Sequence, residues 1–123
     1  MIQAMNHHGI RRLVVVSSGA TNPHPDPREG FLFRRIIKPI VGRTLYADMF
    51  RMEALVRESD LDWTIIQPAR LFDTPTVTHY QVAQAYIVPG ARKTSRADLA
   101  DFMLQQLVTD RYVHQAVAIA TFV

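Results

Sequence analysis

Apolar and polar positions alternate between two rhythms along the chain, and each change of rhythm marks an element. Residues 1–8 fit a helix that stops at Gly9, the residue suited to a left-handed cap, with Ile10 following to close a hydrophobic contact. No Ser, Thr, Asp or Asn precedes this helix to cap its first amides. Residues 13–18, Leu-Val-Val-Val-Ser-Ser, form a continuous β-branched run, the signature of a parallel strand covered on both faces, and predict a central strand. Pro23, Pro25 and Pro27 make residues 19–30 a loop, since alternating prolines forbid both helix and ladder. A short apolar helix follows over 31–37, ended by Lys38-Pro39 and Gly42.

From 44 to 59 the residues Leu45, Met49, Met52, Leu55 and Val56 recur at three- and four-residue steps, the stripe of an amphipathic helix, with Glu53 and Arg57 as a supporting pair one turn apart. Trp63-Thr64-Ile65-Ile66 predicts a second buried strand, closed by Gln67-Pro68-Ala69-Arg70, with Trp63 in the core or at its rim. Residues 74–89 are irregular, with a short hairpin around Tyr80 and Tyr86. At 94–98 the pattern is that of a capped helix start, in which the Ser95 hydroxyl accepts from the Asp98 amide and the acid sits in the favourable first turn. Leu99, Phe102, Met103 and Leu107 are the stripe of that helix, and 113–119 supplies a last strand with alternation at Val113, Val117 and Ile119. The order α, β, α, α, β, α, β implies crossovers and a parallel sheet, so the class is α/β, with about three strands, flanking helices and neither repeat nor domain boundary across 1–123.

Composition sharpens this picture mainly by exclusion. At 48% apolar and 20% charged residues the chain is an ordinary globular one, and 123 residues make one modest core. A net charge of +3 spread along the chain does not point to nucleic acid. Without cysteine, disulfides, thiolate catalysis and Cys-based zinc sites are excluded, and a cytoplasmic protein is the expectation. Residues 1–8 lack the pattern of a leader, and no run of 18 apolar residues predicts a membrane span. The five histidines are scattered without metal-ligand spacing, so no metal is expected.

In an open parallel sheet, ligands bind outside the carboxyl ends of the strands. Ser17-Ser18-Gly19 ends one predicted strand and Gln67-Pro68-Ala69-Arg70 the other, so if the two are neighbours their polar tips line one crevice. Each residue has a plainer alternative. Serine hydroxyls at a strand end also satisfy loop amides. Arg70 can meet a phosphate, carboxylate or polarised carbonyl, or can pair with Asp73 at the surface. Tyr46, beside Leu45 and Met49 in the helical stripe, reads as a boundary residue rather than a catalytic phenol. The basic-apolar run 31–41 reads as a helix with solvated Arg34, Arg35 and Lys38, or else as a membrane-surface or partner-binding segment.

The segments 5–18 and 51–71 resemble the helix-strand units of atypical short-chain dehydrogenases, close to the NAD(P)H-dependent flavin reductases of the biliverdin reductase B type and to NmrA-like proteins, and 94–110 resembles the last helix of that family. The resemblance covers nearly all of the chain and is weakest over 81–92. It implies the C-terminal portion of a single Rossmann-like, doubly wound parallel sheet, with the N-terminal strands and the Gly-rich phosphate loop missing. It further implies NADP or NAD as cofactor, with affinity reduced by the lack of that loop, and a small flavin- or quinone-like acceptor. Ser17 and Ser18 would match the strand tip facing the nicotinamide, and Gly19, Gln67, Pro68, Ala69 and Arg70 would complete the cofactor side. Ser18 is the implied hydrogen-bonding orienter and Arg70 the electrostatic one, although the flavin-reductase type carries a histidine at the Arg70 position. The Tyr-x-x-x-Lys pair of ordinary short-chain dehydrogenases is absent, Leu45 and Met49 standing in its place. The alternative is a non-catalytic remnant acting in association: without preceding strands, residues 13–18 would present an unpaired edge and favour a homo-oligomer.

Overall fold

The computed structural model describes residues 1–18, 45–84 and 88–122. The predicted loop at 19–30, the helix at 31–37, the basic-apolar run 31–41 and Tyr86 lie outside the described residues. Among the described residues three helices, α1 (Ile2–His7), α2 (Leu45–Glu58) and α3 (Arg96–Gln105), accompany six strands, β1 (Arg12–Val16), β2 (Asp62–Pro68), β3 (Arg70–Phe72), β4 (Gln81–Gln84), β5 (Lys93–Ser95) and β6 (Gln115–Ala120). A four-stranded sheet runs in the order β1-β2-β6-β4, and β3 and β5 form a separate two-stranded sheet. β1, β2 and β6 are mutually parallel, with Val16 opposite Ile66 and Pro68 opposite Ile119, while β4 runs antiparallel to β6.

The period-two alternation of strands sorts their side chains onto two faces. Leu13, Trp63 and Ile65 pack with Val56 and Leu61 beneath α1 and α2, whereas Ile66, Val117 and Ile119 pack against Leu99 and Phe102 of α3. The result is a mixed α/β fold in which a mainly parallel sheet is covered on both faces, as the order of elements predicts. At the amino ends of the strands Arg12 reaches the Gln106 and Asp62 carbonyl oxygens at 2.9 and 2.7 Å and Thr64 Oγ1 at 2.9 Å, tying β1, β2 and the end of α3 together.

Several local readings hold in detail. Gly9 has φ +70°, and its amide and that of Ile10 donate to the Asn6 and Met5 carbonyl oxygens at 3.3 and 2.9 Å, the paired bonds of a glycine-ended helix. The Ile10 side chain itself is 55% exposed. Ser95 caps α3, its hydroxyl accepting from the Ala97 and Asp98 amides.

Others are corrected. The run 13–18 reads as a central strand, yet among the described residues β1 lies at the sheet edge and Leu13 is its one buried residue; β2, buried from Trp63 to Pro68, is the central strand. Residues 81–84, read as irregular, form β4, which brings the sheet to four strands rather than about three. Two exposed glutamines flank its only apolar pair, so the periodicity is too short to see. Leu55 is 57% exposed, because the inward face of α2 runs through Met49, Met52, Glu53 and Val56, the i, i+3, i+4, i+7 positions. Leu107 is 61% exposed because α3 has already ended at Gln105, and Gln106 is buried there instead. The last strand starts at Gln115 and not at Val113, since His114 takes φ 61° and donates its amide to the Trp63 carbonyl oxygen at 2.6 Å.

Candidate functional site at the carboxyl ends of the parallel strands

Parallel pairing places the carboxyl ends of β1, β2 and β6 on one rim. The Ser17 amide extends the ladder past β1 by donating to the Ile66 carbonyl oxygen at 2.8 Å, which sets Ser17 beside Gln67 and carries Ser18 to the same edge as Pro68 and Ala69. The predicted crevice residues Ser17, Ser18, Gln67, Pro68 and Ala69 are thus brought together on adjacent strands; Gly19 lies outside the described residues.

What joins the two tips is a residue that the local pattern understates. Glu53, 5% exposed on the inward face of α2, accepts the Ser17 hydroxyl on Oε2 at 2.9 Å and the Gln67 side-chain amide on Oε1 at 3.1 Å. Arg57 Nη2 stands 3.7 Å from the same Oε1. The expected Glu53–Arg57 pair therefore exists, but it is the half-exposed flank of a buried carboxylate whose main partners are 36 and 14 residues away in sequence. A buried charge is tolerated only when its lone pairs are met, and here two neutral donors and a cation meet them. The signal that could have revealed it is an acid inside an otherwise apolar helical face.

The turn after β2 is held just as firmly. The Thr94 hydroxyl accepts the Ala69 amide at 2.9 Å and donates to the Ile119 carbonyl oxygen at 2.7 Å, so one buried side chain on β5 fixes the ends of β2 and β6. Arg70 opens β3, exposed and directly opposite Lys93. Its alternative partner is taken: Asp73 receives Arg96 Nη1 at 2.9 Å, and among the described residues no ion pair reaches Arg70. The Lys93 ammonium rests 4.4 Å from the centroid of the Phe72 ring.

Behind this rim Asp98, fully buried in the first turn of α3, collects three donors: the Thr78 amide and hydroxyl, each at 2.6 Å, and the Thr121 hydroxyl at 2.5 Å. Thr121 in turn accepts the Ser95 amide at 2.8 Å. Burial pushes the Asp98 carboxyl up, but the hydrogen bonds from Thr121 and Thr78 outweigh it and hold it below the usual carboxylate range. In the sequence Asp98 stands only as a helix-start acid. Tyr80 donates its hydroxyl to Asp101 Oδ2 at 2.7 Å and meets Phe102 edge-on; burial, with the Asp101 carboxylate, pushes the phenol well above its ordinary range, so it stays protonated. Tyr46 lies in the first turn of α2. Among the described residues no group of three or more His, Asp or Glu could hold a metal, and no helix is long and apolar enough to cross a membrane.

A mainly parallel sheet, covered by helices on both faces and carrying polar strand tips along its carboxyl rim, defines the class of nucleotide-binding α/β domains. The chain belongs to the NAD(P)H-binding family, whose sequence pattern matches residues 1–110. The fold is likewise similar to that of a short-chain dehydrogenase/reductase from Veillonella parvula solved in complex with NADP (TM-score 0.74, 20% identity), covering 98% of this chain and 55% of that one. A candidate NADH-flavin reductase from Streptococcus pneumoniae matches with a TM-score of 0.76 and 18% identity over 98% of this chain and 62% of its own. An exported-protein candidate from Burkholderia pseudomallei gives 0.77 and 22% over 98% and 60%. The chain spans between half and two thirds of the length of these structures. At such identities the likeness concerns the fold.

Proposed function

We propose that this chain forms the nicotinamide-side portion of a single Rossmann-like domain in an NAD(P)H-dependent oxidoreductase of the flavin-reductase-like type. The observation that carries the reading is the parallel, in-register pairing of β1 and β2, which sets Ser17 beside Gln67 and brings Ser18 to the same rim as Pro68 and Ala69. The donor and acceptor set there suits the carboxamide end of a dinucleotide, and Arg70 suits an anionic or polarised group beside it. When bound, the reduced nicotinamide supplies the hydride equivalent for a flavin- or quinone-like acceptor. The chain's own part is positional: Ser18 orients the bound groups by hydrogen bonding, Thr94 keeps the Ala69 backbone in place, and Arg70 provides electrostatic bias.

The test is titration of the chain with NADPH and with NADH, following thermal stability and the nicotinamide's own fluorescence. Trp63 is a poor reporter, since it sits at the amino end of β2 against Arg57, about 13 Å along the strand from Gln67 at ~3.3 Å per residue. Nucleotide at a hundred times its dissociation constant should add about 2.7 kcal/mol of stability. Flat melting curves at millimolar concentrations of both nucleotides would defeat the proposal.

A second reading, association through the strand edge, is favoured by one feature: among the described residues β1 has a partner on only one side. It expects a homodimer or larger species by light scattering, and a monomer at high concentration would rule it out.

A further inference from the structure

We propose that Arg70 and Lys93 form a two-cation site for a phosphate group, built on the small β3-β5 sheet that lies against the carboxyl ends of β2 and β6. The proposal goes beyond the nicotinamide reading and does not depend on it, since a phosphate carried by a dinucleotide or by an acceptor satisfies it equally.

β3 and β5 pair in parallel, with Arg70 opposite Lys93 and Phe72 opposite Ser95. Neighbouring strands lie about 4.8 Å apart, and residues in register, like residues two apart on one strand, project to the same face. Arg70, Phe72 and Lys93 therefore share a face, as the Lys93 ammonium 4.4 Å from the centroid of the Phe72 ring requires. Thr94 takes the other face, where its hydroxyl holds the Ala69 amide and the Ile119 carbonyl oxygen. The Thr121 amide donates to the Lys93 carbonyl oxygen at 2.9 Å, so the backbone of the pair is anchored to the ends of both β2 and β6.

Like charges directly opposite each other on neighbouring strands repel, and the arrangement is a cost unless an anion shares it. The acid closest in sequence to Arg70 is Asp73, and it is already held by Arg96 Nη1 at 2.9 Å. Among the described residues neither Arg70 nor Lys93 has an ion-pair partner. The half-buried Lys93 is also restrained, because its contact with the Phe72 ring keeps the ammonium over the shared face instead of swinging freely into solvent. A phosphate fits this pair: the guanidinium offers a planar fork to two of its oxygens and the ammonium a point charge to a third. Two fixed positive charges also match a dianion better than a single carboxylate.

The probe is inorganic pyrophosphate, titrated calorimetrically into the full chain at about 0.15 M salt, where charges more than about 8 Å apart are largely screened from one another. Saturable binding of one ion per chain is expected. Arg70→Gln and Lys93→Gln should each weaken it about tenfold, the scale of a hydrogen bond to a charged group. Arg111→Gln removes the same charge from the turn before β6, at the amino ends of the strands, and should leave binding within about twofold. Melting curves guard against misfolding: without the anion neither rim variant should melt below the parent, since repulsion is relieved, and with it only the parent and Arg111→Gln should gain stability. Equal losses in all three variants would reduce the effect to net charge and overturn the proposal, as would the lack of saturable binding by the unaltered chain. NADPH titrated against saturating pyrophosphate then assigns the phosphate: mutual displacement gives it to the dinucleotide, simultaneous binding to the acceptor. Pyrophosphate binding by a chain that takes up neither NADPH nor NADH would sink the nicotinamide reading and leave the two-cation site standing.

Discussion

Asp98→Ala is expected to destabilise the folded chain by about 3 kcal/mol, the scale on which a buried, fully hydrogen-bonded charge is lost together with its partners' satisfaction. The side chain is wholly buried, and its removal leaves the Thr78 amide, the Thr78 hydroxyl and the Thr121 hydroxyl without their acceptor. The damage would spread, because Thr121 also holds the Ser95 amide that opens α3, and Ser95 in turn caps the helix. At roughly 3–5 °C per kcal/mol for a domain of this size, the melting temperature should fall by about 10–15 °C. Urea unfolding of the variant and parent measures the difference; a loss below about 1 kcal/mol would mean that the threonines find other acceptors.

The same residue gives the protein an acid limb with a defined sign. The folded-state carboxyl is held below its unfolded value, so its contribution is complete above the unfolded value near pH 4 and is lost as pH falls through the depressed native one. Asp98→Asn should remove that limb, leaving a flatter stability profile below about pH 4.

Ile66→Ala is expected to cost about 3–4 kcal/mol, the usual range for emptying a fully buried aliphatic site. Ile66 has no exposed surface and lies at the centre of the face formed with Leu99, Phe102, Val117 and Ile119, where β2, β6 and α3 meet. Flanking elements on both sides limit collapse into the space. Leu55→Ala is the contrasting case: although the helical stripe of the sequence includes Leu55, its 57% exposure places the change within about 0.5 kcal/mol. Comparable losses for the two would contradict the packing described.

The functional reading depends on a geometric condition that the residues alone left open, whether the two polar tips are neighbours on one rim. The parallel register of β1 with β2 meets it, and the family match over residues 1–110 agrees with the nicotinamide nucleotide that the resemblance implied. Glu53 adds a link between those tips that the residue spacing did not suggest.

By itself the sequence determined what depends on near neighbours along the chain. The strands around Val14 and Ile65, the helix carrying Met49, Met52 and Val56, the Gly9 stop and the Ser95 cap all follow from periods of 2 and 3.6 and from backbone groups within four residues, and their order was enough for the α/β class. Only the tertiary structure decided strand order, the antiparallel β4, and which polar groups are buried. Glu53 meets Ser17 across 36 residues, Thr94 reaches Ala69 and Ile119 across 25, and Asp98 meets Thr121 across 23. A polar side chain can be buried only where a distant segment supplies its partner, and a pattern read over one helical turn holds no information about that partner.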